Sequence, residues 1–96
     1  MAKNRWANKP DGNHNEIANA LKVAGWVVVN TTIMRGKFPD MLAAKQGCTV
    51  VVEAKIPGED LTPSEAKFFE IWPGHKIIAY SGQDAVDKCQ KILSGQ

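Results

Sequence analysis

The run from Val50 to Gly58, V-V-V-E-A-K-I-P-G, constrains this chain more than any other. Three valines favour a strand and their apolarity sends it toward an interior. Pro57 and Gly58 then stop it, because proline has no N–H for a ladder and the pair forms a turn. Just before the stop come an acid and a base two residues apart. Side chains alternate across a strand, so Val50, Val52, Ala54 and Ile56 share one side. Thr49, Val51, Glu53 and Lys55 share the other. Glu53 and Lys55 therefore project together, roughly 7 Å apart at about 3.3 Å per residue. Taken alone the pair also fits a surface salt bridge, which is worth little.

The flanking segments say what this strand joins. Over Asn13 to Gly25, Ile17, Ala20, Leu21 and Ala24 recur at helical spacing, with Asn13 as a cap and Gly25 as the end. Trp26 to Thr32 is β-branched and apolar, a strand. A turn-rich link with Arg35 and Lys37 follows, then a short second strand over Asp40 to Lys45. Gln46-Gly47 makes a tight turn into the third strand, Cys48 to Ile56. Thr62, Pro63 and Glu65 spell a helix start with a capping box, and Phe68, Phe69 and Trp72 form one apolar stripe, core or dimer surface. Lys76 to Tyr80 is a fourth strand. Ser81 or Gln83 opens a last helix with Val86, Cys89 and Leu93 facing inward. The order α-β-β-β-α-β-α predicts an α/β fold: a mixed four-stranded sheet flanked by helices, strands two and three a hairpin, strands three and four joined by a parallel crossover.

Length bounds the rest. Ninety-six residues make one domain, here residues 13–96, preceded by a basic arm over residues 1–12 with Lys3, Arg5, Trp6 and Lys9. A domain this small buries only about two-thirds of its unfolded surface, so a partner chain would help. The composition is 44% hydrophobic and 23% charged with a net charge of +2. That permits a nucleic-acid partner only through a local basic patch. Cys48 and Cys89 suggest neither a disulfide framework nor a CxxC metal site, and read as two buried thiols. A polar N-terminus and the lack of a long apolar run predict an intracellular protein with no membrane partner, in the host cytoplasm if viral, and not secreted. His14 and His75 have no partner at ligand spacing and read as surface histidines. Lys67, Lys88 and Lys91 read as solvent-facing.

A hairpin partner starting at Asp40 brings a second carboxylate toward Glu53. Two carboxylates and an ammonium at a strand end suit a hard cation such as Mg2+, which takes one or two carboxylates and keeps several waters. The Ala54 carbonyl is a further candidate ligand. Lys55 suits holding water and offsetting negative charge. It does not suit proton abstraction, since neighbouring carboxylates push a lysine pKa up. Glu16 stands beside the apolar stripe of the first helix, able to lean toward the sheet or to close a capping box with Asn13. Arg35 and Lys37 precede Asp40 and could contact phosphate.

Glu16 on a first helix, Pro39-Asp40 opening a second strand and Glu53-Ala54-Lys55 ending a third resemble the PD-(D/E)XK nuclease superfamily and its restriction-endonuclease-like core. More narrowly, G-K-F-P-D-M-L, V-V-E-A-K, L-T-P-S-E and S-G-Q-D-A, in that order from about Asn15 to Val86, look like the virus-type replication-repair nuclease (VRR-NUC) family. The resemblance implies Mg2+- or Mn2+-dependent hydrolysis of DNA phosphodiesters. It assigns Asp40 and Glu53 as metal ligands, Lys55 as the catalytic lysine and Glu16 as a helix-borne acid. Where the family often carries glutamine this chain has Glu65, read here as a helix cap. Members of this size resemble Holliday junction resolvases, so a homodimer acting on branched DNA is expected. Two alternatives stand beside it: an inactive DNA-binding or assembly module on the same fold, and a restriction-type site-specific nuclease.

Overall fold

The computed structural model describes residues 13–32 and 38–95. It runs α1 (His14–Val23), β1 (Val27–Asn30), β2 (Met41–Lys45), β3 (Cys48–Ala54), α2 (Pro63–Ile71), β4 (His75–Ala79) and α3 (Gly82–Ser94). The basic arm, Arg35 and Lys37 lie outside the described residues. The sheet order is β1-β2-β3-β4, antiparallel across β1–β2 and β2–β3 and parallel across β3–β4. This is the expected mixed α/β sheet in the expected order of elements.

Local chemistry explains the boundaries. Gln46 and Gly47 both take positive φ, 51° and 79°, as a two-residue hairpin turn that follows strand twist requires. Trp26 belongs to the end of α1 rather than to β1. Its N–H donates to the Leu21 carbonyl and that of Gly25 to Lys22, the paired closure that a left-handed residue such as Gly25 (φ 97°) permits. At the far end of β1, the Asn30 side-chain oxygen accepts from the Thr32 amide and hydroxyl and turns the chain out of the sheet.

The core lies between one sheet face and two helices. Ile17 and Leu21 of α1 and Ala85 and Cys89 of α3 pack on Met41, Ala43, Cys48, Val50, Val52, Ile77 and Ala79. Half-buried Val86, Leu93 and Ala54 complete it. The alternation read from the sequence holds along β3, and Val51 is buried on the opposite face. Both cysteines are free and buried. Burial, then the neighbouring Cys48, pushes the Cys89 thiol up to about 12, so it is inert at neutral pH.

Helices α1 and α3 approach closely at Gly82, where a Cβ would stand 2.8 Å from Ala20 Cβ and 3.2 Å from the Glu16 carbonyl oxygen. Backbone cannot yield as a flexible side chain does. Gly82→Ala should therefore destabilise the fold by about 1–3 kcal/mol, read as a lower denaturant midpoint at unchanged slope.

Three expectations need correction. His14 is buried, 7% exposed, and its Nε2 has no hydrogen-bond partner among the described residues; its ring turns inward while Asn15 and Glu16 beside it are exposed. Lys88 is half-buried, donating to the Ile78 carbonyl at 2.6 Å and pairing with Asp84 at 2.9 Å. Asn13 occupies the cap position of α1 but makes no side-chain cap bond. Its amide is used elsewhere, at the ends of β3 and β4.

Candidate active site

The site is built where β3 leaves the sheet. Met41 pairs with Val52, so extending the antiparallel register by one residue sets Asp40 opposite Glu53. A second step sets Pro39 opposite Ala54. A proline has no N–H to give a facing strand, so the ladder fails there. The Asp40 side chain takes over: its Oδ2 accepts from the Ala54 N–H at 2.9 Å. The Ala54 carbonyl, on the same side of the strand, faces a residue with no donor. Pro39-Asp40 is itself pinned from β1, since the Thr31 N–H donates to the Asp40 carbonyl at 2.9 Å and the Thr31 hydroxyl to the Pro39 carbonyl. The Pro-Asp pair thus ends one strand pairing and turns a carboxylate onto the neighbouring strand.

Glu53 and Lys55 share the face away from the main core, as parity requires, and both are buried, at 3% and 7% exposure. A surface salt bridge is therefore not the description of this pair. The Lys55 ammonium lies 3.8 Å from Glu53 Oε2 and 2.7 Å from Glu65 Oε1. Burial, then the charges of Asp40 and Glu65 and hydrogen bonds to both, pushes the Glu53 carboxyl up to about 9 from an ordinary 4.5. At neutral pH Glu53 holds a proton that it shares with the carboxylates on either side. Burial presses the Lys55 pKa down, but Glu65, then Glu53 and Glu59, outweigh it and hold it above 10.5. Lys55 is a fixed cation there, not a base.

Glu65 does more than cap. Burial acts against its charge, but bonds from Lys55, the Thr62 amide and Glu53 keep its pKa below the usual range. The expected capping box is present: Thr62 Oγ1 accepts from the Glu65 N–H, and Glu65 Oε1 accepts from the Thr62 N–H at 2.8 Å. The same Oε1 also receives Lys55. The reading of Glu65 as a cap captured half of its role.

Asn13 buttresses the strand ends from behind. Its Nδ2 donates to the Lys55 carbonyl at 2.7 Å and to the Tyr80 carbonyl at 3.2 Å. Glu16 neither closes a box with Asn13 nor figures among the groups acting on Glu53. Its Oε2 accepts from the Gly82 N–H at 2.9 Å, at the positive end of α3, where a carboxylate is favoured. The structure thus brings together Asp40, Glu53, Ala54 and Lys55, adds Glu65, and engages Glu16 at the start of α3. Sequence reasoning gave Asn13 only a capping role, since an asparagine at a helix start does not show that it can serve strand ends distant in the chain.

The donor set fits a hard cation of one kind. Two carboxylates and a carbonyl facing a donorless proline offer oxygen ligands on one side only. Among the described residues no three His, Cys, Asp or Glu side chains form a ready-made metal cage. Oxygen donors of this kind could hold Mg2+ or Mn2+, which keep waters and share their sphere with phosphate.

No family model, curated protein or solved structure matches this chain.

Proposed function

We propose that this protein is a Mg2+- or Mn2+-dependent endonuclease of the PD-(D/E)XK type, akin to the VRR-NUC family, acting on branched DNA such as Holliday junctions. One observation carries the reading: Glu53 of β3 meets the carboxylate of Asp40, the residue before β2, and lies 3.8 Å from a buried ammonium, Lys55. A scaffold gains nothing from this arrangement, since burying charges costs more than their attraction commonly returns. Opposed acids beside one lysine at a strand end are what phosphodiester hydrolysis uses.

The residues divide the work. Asp40 and Glu53 would hold the divalent ion, with the Ala54 carbonyl as a third oxygen. A bound ion would lower the pKa of a water and withdraw charge from a phosphate oxygen. Lys55, always charged, orients the attacking water and offsets charge that builds on the phosphate. Asp40 also keeps the end of β3 in register, through the Ala54 N–H. Arg35 and Lys37, in the link before Asp40, would grip the DNA backbone. A homodimer would present two such sites to two strands of a junction.

Because Glu53 carries a proton up to about pH 9, an ion must displace it. Divalent affinity should rise with pH by about tenfold per unit below that value, one proton leaving per ion bound. Calorimetry in buffers of different ionisation enthalpy measures this. Affinity independent of pH between 6 and 9 would remove Glu53 from the ligand set.

The functional test is a panel of four-way junctions, flaps and linear duplexes incubated with Mg2+. Junction cleavage by the wild type, lost in Asp40→Ala, is the expected result. Cleavage unchanged by Asp40→Ala would take that residue out of the reaction. Equal cleavage of linear duplex at one fixed sequence would instead favour a restriction-type enzyme. Junction binding with no cleavage under Mg2+ or Mn2+ would favour a binding module.

A further inference from the structure

The nearest partner of the Lys55 ammonium is not the acid two residues before it. Glu65 stands at 2.7 Å and Glu53 at 3.8 Å. Glu65 is the third residue of α2, and its Oε1 is held from a second side by the Thr62 amide at 2.8 Å. The carboxylate is thus fixed by its own helix before it meets the lysine. Lys55 follows directly on β3 and is itself buried, whereas Ile56 beyond it is exposed.

The helix bearing Glu65 is otherwise weakly seated. No residue of α2 is buried, and Ile71 is 64% exposed. Its apolar stripe is half-buried, with Phe68 and Trp72 packed against Phe38, ring centroids 5.3 and 6.3 Å away. The Trp72 carbonyl accepts from Lys76 at 2.6 Å. The ion pair to Lys55 therefore couples the start of α2 to the end of β3, and the place of the ammonium depends on the helix being docked.

We propose that Glu65 is the positioning residue of Lys55: through the capped start of α2 it holds the ammonium at the phosphate-facing end of β3, and it remains the lysine's counter-ion when Glu53 is committed elsewhere. This rests on the nuclease reading for its purpose but not for its geometry. A glutamine at this place would keep the acceptor for the Thr62 amide and for Lys55 and lose the charge. The ammonium makes this bond charge-assisted with either acceptor; glutamate adds the opposite charge. The role differs from capping, because a cap needs only the Thr62 bonds.

Three variants separate positioning from capping, each read by the order parameter of the Lys55 Cε methylene in NMR relaxation and by single-turnover junction cleavage. Thr62→Ala removes the hydroxyl of the cap and leaves Glu65 facing Lys55. It should lower the melting temperature while keeping Lys55 ordered and cleavage within about threefold of wild type. Glu65→Ala should leave Lys55 as mobile as a surface lysine and slow cleavage by about a hundredfold, the usual cost of a misplaced group. Glu65→Gln should restore most of the order and sit within about tenfold of wild type. An ordered Lys55 in Glu65→Ala would overturn the proposal. So would equal loss of cleavage in Thr62→Ala and Glu65→Ala. If the wild type cleaves no DNA of the panel, the nuclease reading falls, and the Lys55 order parameters alone decide whether Glu65 positions it.

Discussion

Replacing Glu53 with glutamine should make the metal-free protein more stable and at the same time abolish its metal-dependent cleavage. The folded protein keeps the Glu53 proton up to about pH 9, whereas the unfolded chain gives it up near 4.5. Between those values the folded state binds the extra proton, so stability falls as pH rises through the window and is highest at its acid end. Glutamine has no proton to lose. Its amide carries two N–H donors for Asp40 and Glu65 where the protonated acid has one, and the shape is nearly unchanged. The expected gain is about 2–3 kcal/mol at pH 7, a melting temperature higher by about 10 °C for a domain of this size, and larger again at pH 8.5. The gain should vanish near pH 4.5. Activity should fall by at least about a thousandfold, since an amide is a poor ligand for a hard cation and carries no charge. A variant that is no more stable than wild type at pH 8 would mean that Glu53 is ionised in the folded protein. Stability bought at the expense of function is the signature of a strained site.

Lys55→Met should have the opposite effect on stability and the same effect on activity. Removing the ammonium leaves Glu65 without its nearest cation and takes from Glu53 the cation at 3.8 Å, in a place where both remain largely out of water. Breaking a buried pair costs about 3–5 kcal/mol. Glu65 keeps roughly a quarter of its side chain exposed and can rehydrate, so about 2 kcal/mol is expected. Cleavage should fall by about a hundredfold to a thousandfold, the range found when a charge-stabilising donor is removed. The two substitutions share a network and will not add. In the Glu53→Gln background, with one acid fewer, Lys55→Met should cost less than it does alone. Urea denaturation of the four proteins of this cycle measures the coupling directly. Strict additivity would show that Glu53 and Lys55 act independently.

The order of the elements and the sheet were legible because each rests on local chemistry. The Gln46-Gly47 turn fixes the hairpin, the Thr62-Glu65 box starts α2, and alternation along β3 sets Glu53 and Lys55 on one face whatever the neighbouring strands do. The meeting of Asp40 with Glu53 was legible for a related reason: once the hairpin turn is placed, register carries Asp40 opposite Glu53. What the sequence hid depends on distant placement. Glu65 reaches Lys55 only because the start of α2 lies beside the residue that follows β3, and a capping box looks the same with or without that placement. Asn13 bonds carbonyls 42 and 67 residues away, and nothing in a helix-start asparagine announces it. Glu16 reads from the sequence as able to lean toward the sheet or to close a box with Asn13; its carboxylate accepts from the Gly82 N–H, a partner 66 residues away. Among the described residues no helix is long and apolar enough to cross a membrane, consistent with the pattern of short elements in the chain.

The central claim is that Asp40 and Glu53 together hold one divalent ion beside Lys55. Titration of the protein with Mn2+ at pH 8.5, followed by calorimetry, tests it most directly. One ion per chain, taken up with release of about one proton and lost in Asp40→Asn, is the predicted result. Uptake that persists in Asp40→Asn, or wild-type protein that takes up no ion at millimolar Mn2+ even with junction DNA bound, would contradict it.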